Sequence, residues 1–158
     1  MDKIATCLWC DGNAEEAVNF YASVFKHSRI GEVMRYGEAG PGPAGSVLSV
    51  TFELEGREFI ALNGGPAFKF SPAISFFVKC ETQAEVDALW AGLLEGGGAP
   101  QQCGWLTDRF GVSWQIVPTV LGKMLQDEDP VKSKRVMQAM LKMIKLDIKT
   151  LEDAYTNA

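Results

Sequence analysis

The chain reads as an α+β protein: two tandem βαβββ modules followed by a C-terminal helical tail. Three observations point there. Apolar periodicity changes in the same order, strand then helix then strands, in two successive stretches. The two helices align residue by residue: Cys10-Asp11 with Cys80-Glu81, Glu15 with Glu85, Phe20 with Trp90. The last strands align as well, Gly56-Arg-Glu-Phe59-Ile-Ala-Leu62 against Gly111-Val-Ser-Trp114-Gln-Ile-Val117. The expected layout is a first module at 1–66, a shorter second one at 67–120 and a tail at 121–158, in one compact domain overall.

The first module opens with Ile4 to Trp9 as a strand. Asn13 is a candidate helix cap, with Glu16 at the reciprocal capping-box position. Ala17, Phe20, Tyr21, Val24 and Phe25 then recur at helical spacing. Ile30 to Tyr36, Ser46 to Leu54 and Arg57 to Leu62 follow as strands, the last two joined by a hairpin turn at Leu54-Glu55-Gly56-Arg57. Gly37 to Gly45 is too poor in apolar side chains to build core. It reads either as a solvated connection or as a lid over a pocket.

The second module repeats the order. Ala73 to Val78 is a strand, Thr82-Gln-Ala-Glu85 is a capping box, and Val86, Leu89, Trp90, Leu93 and Leu94 form the helix stripe. Gly96-Gly97-Gly98 stops that helix. A short strand is expected near Gln101 to Trp105. Asp108 to Gly111 carries turn chemistry, with Asp108 as the turn residue, and Val112 to Val117 is a strand. Period two puts Ser113, Gln115 and Val117 on one face, and Val112, Trp114 and Ile116 on the other. A polar side chain at Gln115 thus points away from a greasy face. In the tail, Asp129-Pro130 starts a helix, and Val136, Met137, Met140, Leu141, Met143 and Ile144 make one broad apolar face for core or subunit packing. Asp147 caps a last helix running through Tyr155.

A length of 158 residues is enough for a real core, and the apolar and charged fractions are ordinary for a globular chain. The net charge is −5 and no basic cluster is dense enough to track phosphates, so nucleic acid is not an expected partner. Lys132 to Lys145 reads as a solvated helix face. Met1-Asp2-Lys3-Ile4 lacks the apolar run of a signal peptide, and no segment is long enough to span a bilayer. The expected setting is cytoplasmic, with the four cysteines as reduced thiols. Cys7-Leu-Trp-Cys10 has redox or zinc spacing, but on a strand the two sulfurs face opposite sides. Cys80 and Cys103 offer no second pair.

Leu8-Trp9-Cys10-Asp11-Gly12-Asn13-Ala14-Glu15-Glu16-Ala17 through Phe20-Tyr21 resembles a known family. So do Ala73-Ile-Ser-Phe-Phe-Val, Glu85-Val-Asp87-Ala-Leu-Trp90, the tail from Val136 to Asp147 and, most of all, Gly104-Trp-Leu through Gly111-Val-Ser-Trp-Gln-Ile-Val-Pro118. The family is the PhnB-like branch of the vicinal oxygen chelate superfamily, also called the glyoxalase/bleomycin-resistance/dioxygenase superfamily. The resemblance implies a half-barrel built from tandem βαβββ modules. The branch is often named for a 3-demethylubiquinone-9 3-methyltransferase domain. A typical methyltransferase binds its donor nucleoside on a Gly-rich loop after the first strand of a parallel sheet. Here that strand runs into Asp11-Gly12-Asn13 and the modules predict mainly antiparallel pairing, which speaks against methyl transfer.

Metal-using members of the superfamily offer His, Glu or Gln from the first and last strands of each module, and the ion activates substrate oxygens. In this chain the only histidine, His27, follows the first helix and is expected at the surface. The first-strand positions are Ala5, Cys7, Trp9, Ser75 and Phe77. Gln115 stands where the last-strand ligand would be, and Ile60, or nearby Asn63, holds the matching place in the first module. A lone neutral amide binds a divalent ion poorly. No metal and no cofactor are therefore expected. The expected function is binding of a small oxygenated or aromatic ligand through Trp9, Asn63, Ser75, Phe77, Trp105 and Gln115. The alternative is a divalent-metal lyase, isomerase or dioxygenase of glyoxalase type. No catalytic residue stands out, since no nucleophile–base pair or carboxylate dyad is visible. A homodimer is expected, because open sheets leave edges that proteins cover.

Overall fold

A computed structural model describes residues 3–158. Met1 and Asp2, which open the N-terminal stretch discussed above, lie outside the described residues. The chain divides into two compact units between Phe70 and Ser71. Each unit is a mixed, open four-stranded sheet with helices, as the tandem-module reading requires.

In the first unit, β1 (Thr6–Cys10), α1 (Ala14–Val24), β2 (Ser28–Arg35), β3 (Val47–Leu54) and β4 (Arg57–Asn63) follow in sequence. The sheet order is β1-β4-β3-β2, with β1 and β4 parallel and the other pairs antiparallel. Strand parity explains the core. Leu8 and Cys10, Val50, Phe52 and Leu54, and Phe59 and Ala61 are buried with Ala17, Val18, Phe20 and Tyr21 of α1. Tyr21 stacks on Phe52 at 6.3 Å and Phe52 on Phe59 at 5.2 Å, so ring burial ties helix to sheet. The hairpin turn is as expected: Glu55 and Gly56 both have positive φ (50° and 80°), the requirement of a type I′ turn. β2 is an edge strand with a register shift between Ile30 and Val33. The hydroxyl of Thr51 fills the gap, accepting from Glu32 N at 2.8 Å and donating to Glu32 O at 3.3 Å.

Two expectations change here. The first strand starts at Thr6, and Ile4 lies exposed. The side chain of Asn13 makes no cap hydrogen bond; the amide oxygen of Asn63 instead accepts from Ala14 N at 2.9 Å. An amide at the end of β4 thus does the job of a local cap, which no local sequence pattern reveals.

The second unit holds β5 (Ser75–Cys80), α2 (Gln83–Leu94), β6 (Ala99–Pro100), β7 (Trp105–Thr107) and β8 (Ser113–Pro118), in sheet order β5-β8-β7-β6. Thr82 caps α2 by accepting from Glu85 N at 3.2 Å, and the Glu85 carboxylate returns to Glu81 N at 3.1 Å. The strand expected at Gln101 to Trp105 is instead a 3-10 turn over Gln102–Gly104, and β7 begins only at Trp105. Cys103 and Gly104 both take positive φ there (59° and 83°), which no strand tolerates.

Asp108 does more than shape a turn. It is buried, with Oδ1 accepting from Phe110 N and Val112 N at 2.9 and 3.0 Å, and Oδ2 accepting from Trp114 Nε1 at 2.8 Å. One carboxylate thus fixes both the turn and the indole beneath it. Trp114 faces the core as its parity predicts, near Phe76.

Three tail helices, α3 (Thr119–Leu125), α4 (Pro130–Met140) and α5 (Ile148–Thr156), belong to the same unit. Val117, Leu121, Met124, Val136, Leu146 and Leu151 form one buried cluster. Asp129 caps α4 through Val131 N and Asp147 caps α5 through Thr150 N, both as expected. The single apolar face expected from Val136 to Ile144 is divided. The helix stops at Met140; Val136, Met140 and Met143 join the cluster while Met137, Leu141 and Ile144 are exposed. The stop has a cause. Met143 and Ile144 offer their carbonyls to Cys103 N and Gly104 N at 2.8 Å each. Gln83 donates to Leu146 O and accepts from Ile148 N, and Lys145 pairs with Asp87 at 2.8 Å.

Candidate functional site

On the face of β8 opposite Trp114, Gln115 pairs with Phe77 on one side and Trp105 on the other. Its Nε2 donates to Ser75 Oγ at 3.0 Å. The structure therefore brings together four of the six residues singled out from sequence. Gln115, Ser75 and Trp105 are half-buried and Phe77 is 54% exposed. The amide oxygen of Gln115 remains a hydrogen-bond acceptor at the centre of the group. An amide between two aromatic side chains can orient an oxygen-bearing ligand; it brings no charge and no proton-transfer group.

Trp9 and Asn63 belong to the first unit and are not of one kind. Asn63 is committed to the fold: its Oδ1 caps α1, its Nδ2 donates to Val47 O at 3.1 Å, and its own carbonyl accepts from Tyr36 Oη at 2.7 Å. Trp9 lines a cavity of about 370 Å³ together with Arg35, Tyr36, Gly37, Gly40, Pro41, Leu48, Leu62 and Gly64. Part of the Gly-rich loop is therefore a cavity wall. Sequence reasoning missed Arg35 and Tyr36. The available signal was an aromatic residue directly before a run of glycines, which leaves the loop free to fold back on the ring.

The two sulfurs of the Cys7–Cys10 pair do diverge. Cys10 is buried, with Sγ toward Leu8 O, while Cys7 lies on the exposed side. Partial burial raises the Cys7 pKa. Burial first, then the charge of Glu85, pushes Cys80 up to about 12. Neither thiol is set up as a thiolate nucleophile or metal ligand at neutral pH. His27 is exposed.

A divalent ion does not fit the matched strand positions. Gln115, Ser75 and Phe77 in one unit, and Ile60, Cys7 and Trp9 in the other, supply one neutral amide, one hydroxyl and one protonated thiol. Among the described residues no three His, Cys, Asp or Glu side chains come together as a ligand set. A methyl-donor nucleoside fits no better. β1 pairs parallel with β4 alone, and the turn into α1 holds a single glycine, Gly12. Among the described residues no helix is long and apolar enough to cross a membrane.

The family model of 3-demethylubiquinone-9 3-methyltransferase matches residues 2–117. A solved PhnB protein from Bacillus cereus, which carries the same methyltransferase name, is 41% identical; the match covers 75% of this chain and 100% of that one, with a TM-score of 0.67. Protein PA1353 from Pseudomonas aeruginosa is 22% identical over 75% of this chain and 98% of its own, with a TM-score of 0.61, a likeness of fold. A glyoxalase/bleomycin resistance protein from Albidiferax ferrireducens, at 15% identity, 72% and 95% coverage and a TM-score of 0.46, is too remote to bear on function. No curated protein matches the chain. The family model and the Bacillus cereus match agree: the chain belongs to the 3-demethylubiquinone-9 3-methyltransferase family, the PhnB-like branch of the vicinal oxygen chelate superfamily.

Proposed function

We propose that this protein binds a small oxygenated or aromatic ligand, without a metal ion, on the Gln115 face of its second sheet. The observation that carries the reading is the Gln115–Ser75 pair held between Phe77 and Trp105. Polar groups placed among aromatic walls are what small-molecule sites present. Against methyl transfer and metal chemistry stand the misfits of loop and donor set described above. The proposal puts the protein in the cytoplasm, where its four free thiols stay reduced. It also includes a homodimer, supported by the exposed apolar residues Ile30, Val33 and Met34 on the edge strand β2.

Thermal melting with a panel of phenols and aryl ketones, run with and without chelator, tests it. The expected result is a ligand-dependent rise in melting temperature that Gln115→Ala abolishes and chelator leaves alone. A fall in melting temperature on chelation, restored by added divalent metal, would overturn the metal-free reading in favour of a glyoxalase-type metalloenzyme.

A further inference from the structure

The cavity of the first unit holds a different set of side chains from the Gln115 group. Its aromatic wall is locked in place. Trp9 Nε1 donates to Gly65 O at 2.9 Å, and its rings meet Phe68 edge-on at 4.8 Å. The indole also lies so close to Gly64 that a Cβ there would stand 2.5 Å from ring atoms. The opposite wall is locked as well. Tyr36 donates its hydroxyl to Asn63 O, and its backbone bonds both Gly45 and Ser46. Its ring is so closely straddled by the loop that a Cβ on Gly40 or Gly42 would meet it at 2.9 or 2.6 Å. The Gly-rich loop is thus a collar around Tyr36, and Gly37, Gly40 and Pro41 face the cavity from it.

Between these walls the lining is Leu48, Leu62 and Pro41, with one charged side chain, Arg35. Arg35 Nη1 donates to Gly45 O at 3.0 Å, and no carboxylate pairs with it among the described residues. A guanidinium carries five donors in a planar fork, so most remain for an incoming acceptor. An apolar chamber of about 370 Å³ with a single cation at its wall matches one ligand chemistry: an aromatic body carrying one carboxylate. Tyr36 is already engaged and no general base lines the chamber, so the chemistry offered is binding.

We propose that this cavity is a second ligand site, specific for a small aromatic monocarboxylate, with Arg35 clamping the carboxylate and Trp9 forming the wall for the ring. It stands independently of the Gln115 reading. Isothermal titration of the full chain with benzoate, its neutral isostere benzamide, and acetate tests it. Benzoate is expected to bind saturably and at least about tenfold more tightly than either control, since both the charge-assisted hydrogen bonds and the ring contact are needed. Arg35→Gln, at an exposed position, should cost benzoate about tenfold and leave benzamide unchanged. Gln115→Ala should leave benzoate binding intact, and amide and indole NMR shifts on binding should centre on Gly64 and Trp9. Equal binding of benzoate and benzamide, an unaffected Arg35→Gln variant, or no saturable binding at millimolar benzoate would each overturn the proposal. Loss of benzoate binding in Gln115→Ala alone would also overturn it, moving the ligand to the second sheet.

Discussion

Leu62 near the end of β4 and Val117 near the end of β8 occupy matching places in the two modules. The strand registers show it: Cys7 pairs with Ile60 as Phe77 pairs with Gln115, and Cys10 with Asn63 as Cys80 with Pro118. Yet Leu62 lines an open cavity, while Val117 lies in the buried cluster of the tail helices. The edges differ to match. β2 runs eight residues and is bulged, whereas β6 is only two residues long. The short edge is followed by a turn whose amides at Cys103 and Gly104 are taken up by tail carbonyls. One module keeps a chamber and the other fills the equivalent place with its own chain.

The largest effect should come from emptying the filled side. Leu146→Ala removes a fully buried side chain from the tail cluster and should cost about 3 kcal/mol in urea unfolding. Leu62→Ala, in a wall already open, should cost under about 1 kcal/mol. Similar costs for the two would break the comparison. Next in size is the turn that receives the tail. Gly104 has φ of 83°, and a Cβ there would lie 2.9 Å from Leu146 Cδ1 and 3.0 Å from Ile116 O. Gly104→Ala should therefore cost about 2 kcal/mol.

The smallest effect concerns the outer clasp. Asp87 accepts from Lys145 and then Gln83, which holds its pKa below the ordinary carboxylate value of 3.8. A depressed folded-state pKa means stability present above the unfolded value and lost as pH falls through the folded one. Because the pair is exposed, Asp87→Asn should lose only about 0.3 kcal/mol at pH 7. Variant and parent should converge below the ordinary carboxylate range. A gap that persists in acid would mean Asp87 acts through something other than its charge.

Much of this was legible along the chain. Thr82 and Asp147 cap the helices expected of them, Glu55-Gly56 turns the hairpin, and Trp114 and Gln115 take opposite faces. Each rests on neighbours within a few residues or on strand parity. The misses share a different cause. The cap of α1 comes from Asn63, 49 positions beyond Ala14. The strand expected before Trp105 gives way to a turn because residues some 40 positions later supply its partners. Arg35 does end β2, but nothing local marks it or Tyr36 as a cavity wall; only the loop folding back on the Tyr36 ring makes them so.

The linear chain alone thus carries the duplicated βαβββ order, the faces of β8 and the branch of the superfamily. These follow from local periodicity and residue chemistry, which survive in any fold that respects them. The tertiary structure alone decided that Asn63 is a cap, that Asp108 holds Trp114, and that one module is hollow where the other is filled. Those outcomes depend on which distant backbone groups meet, and hydrogen bonds and cavities between remote segments leave no periodic trace in a linear chain.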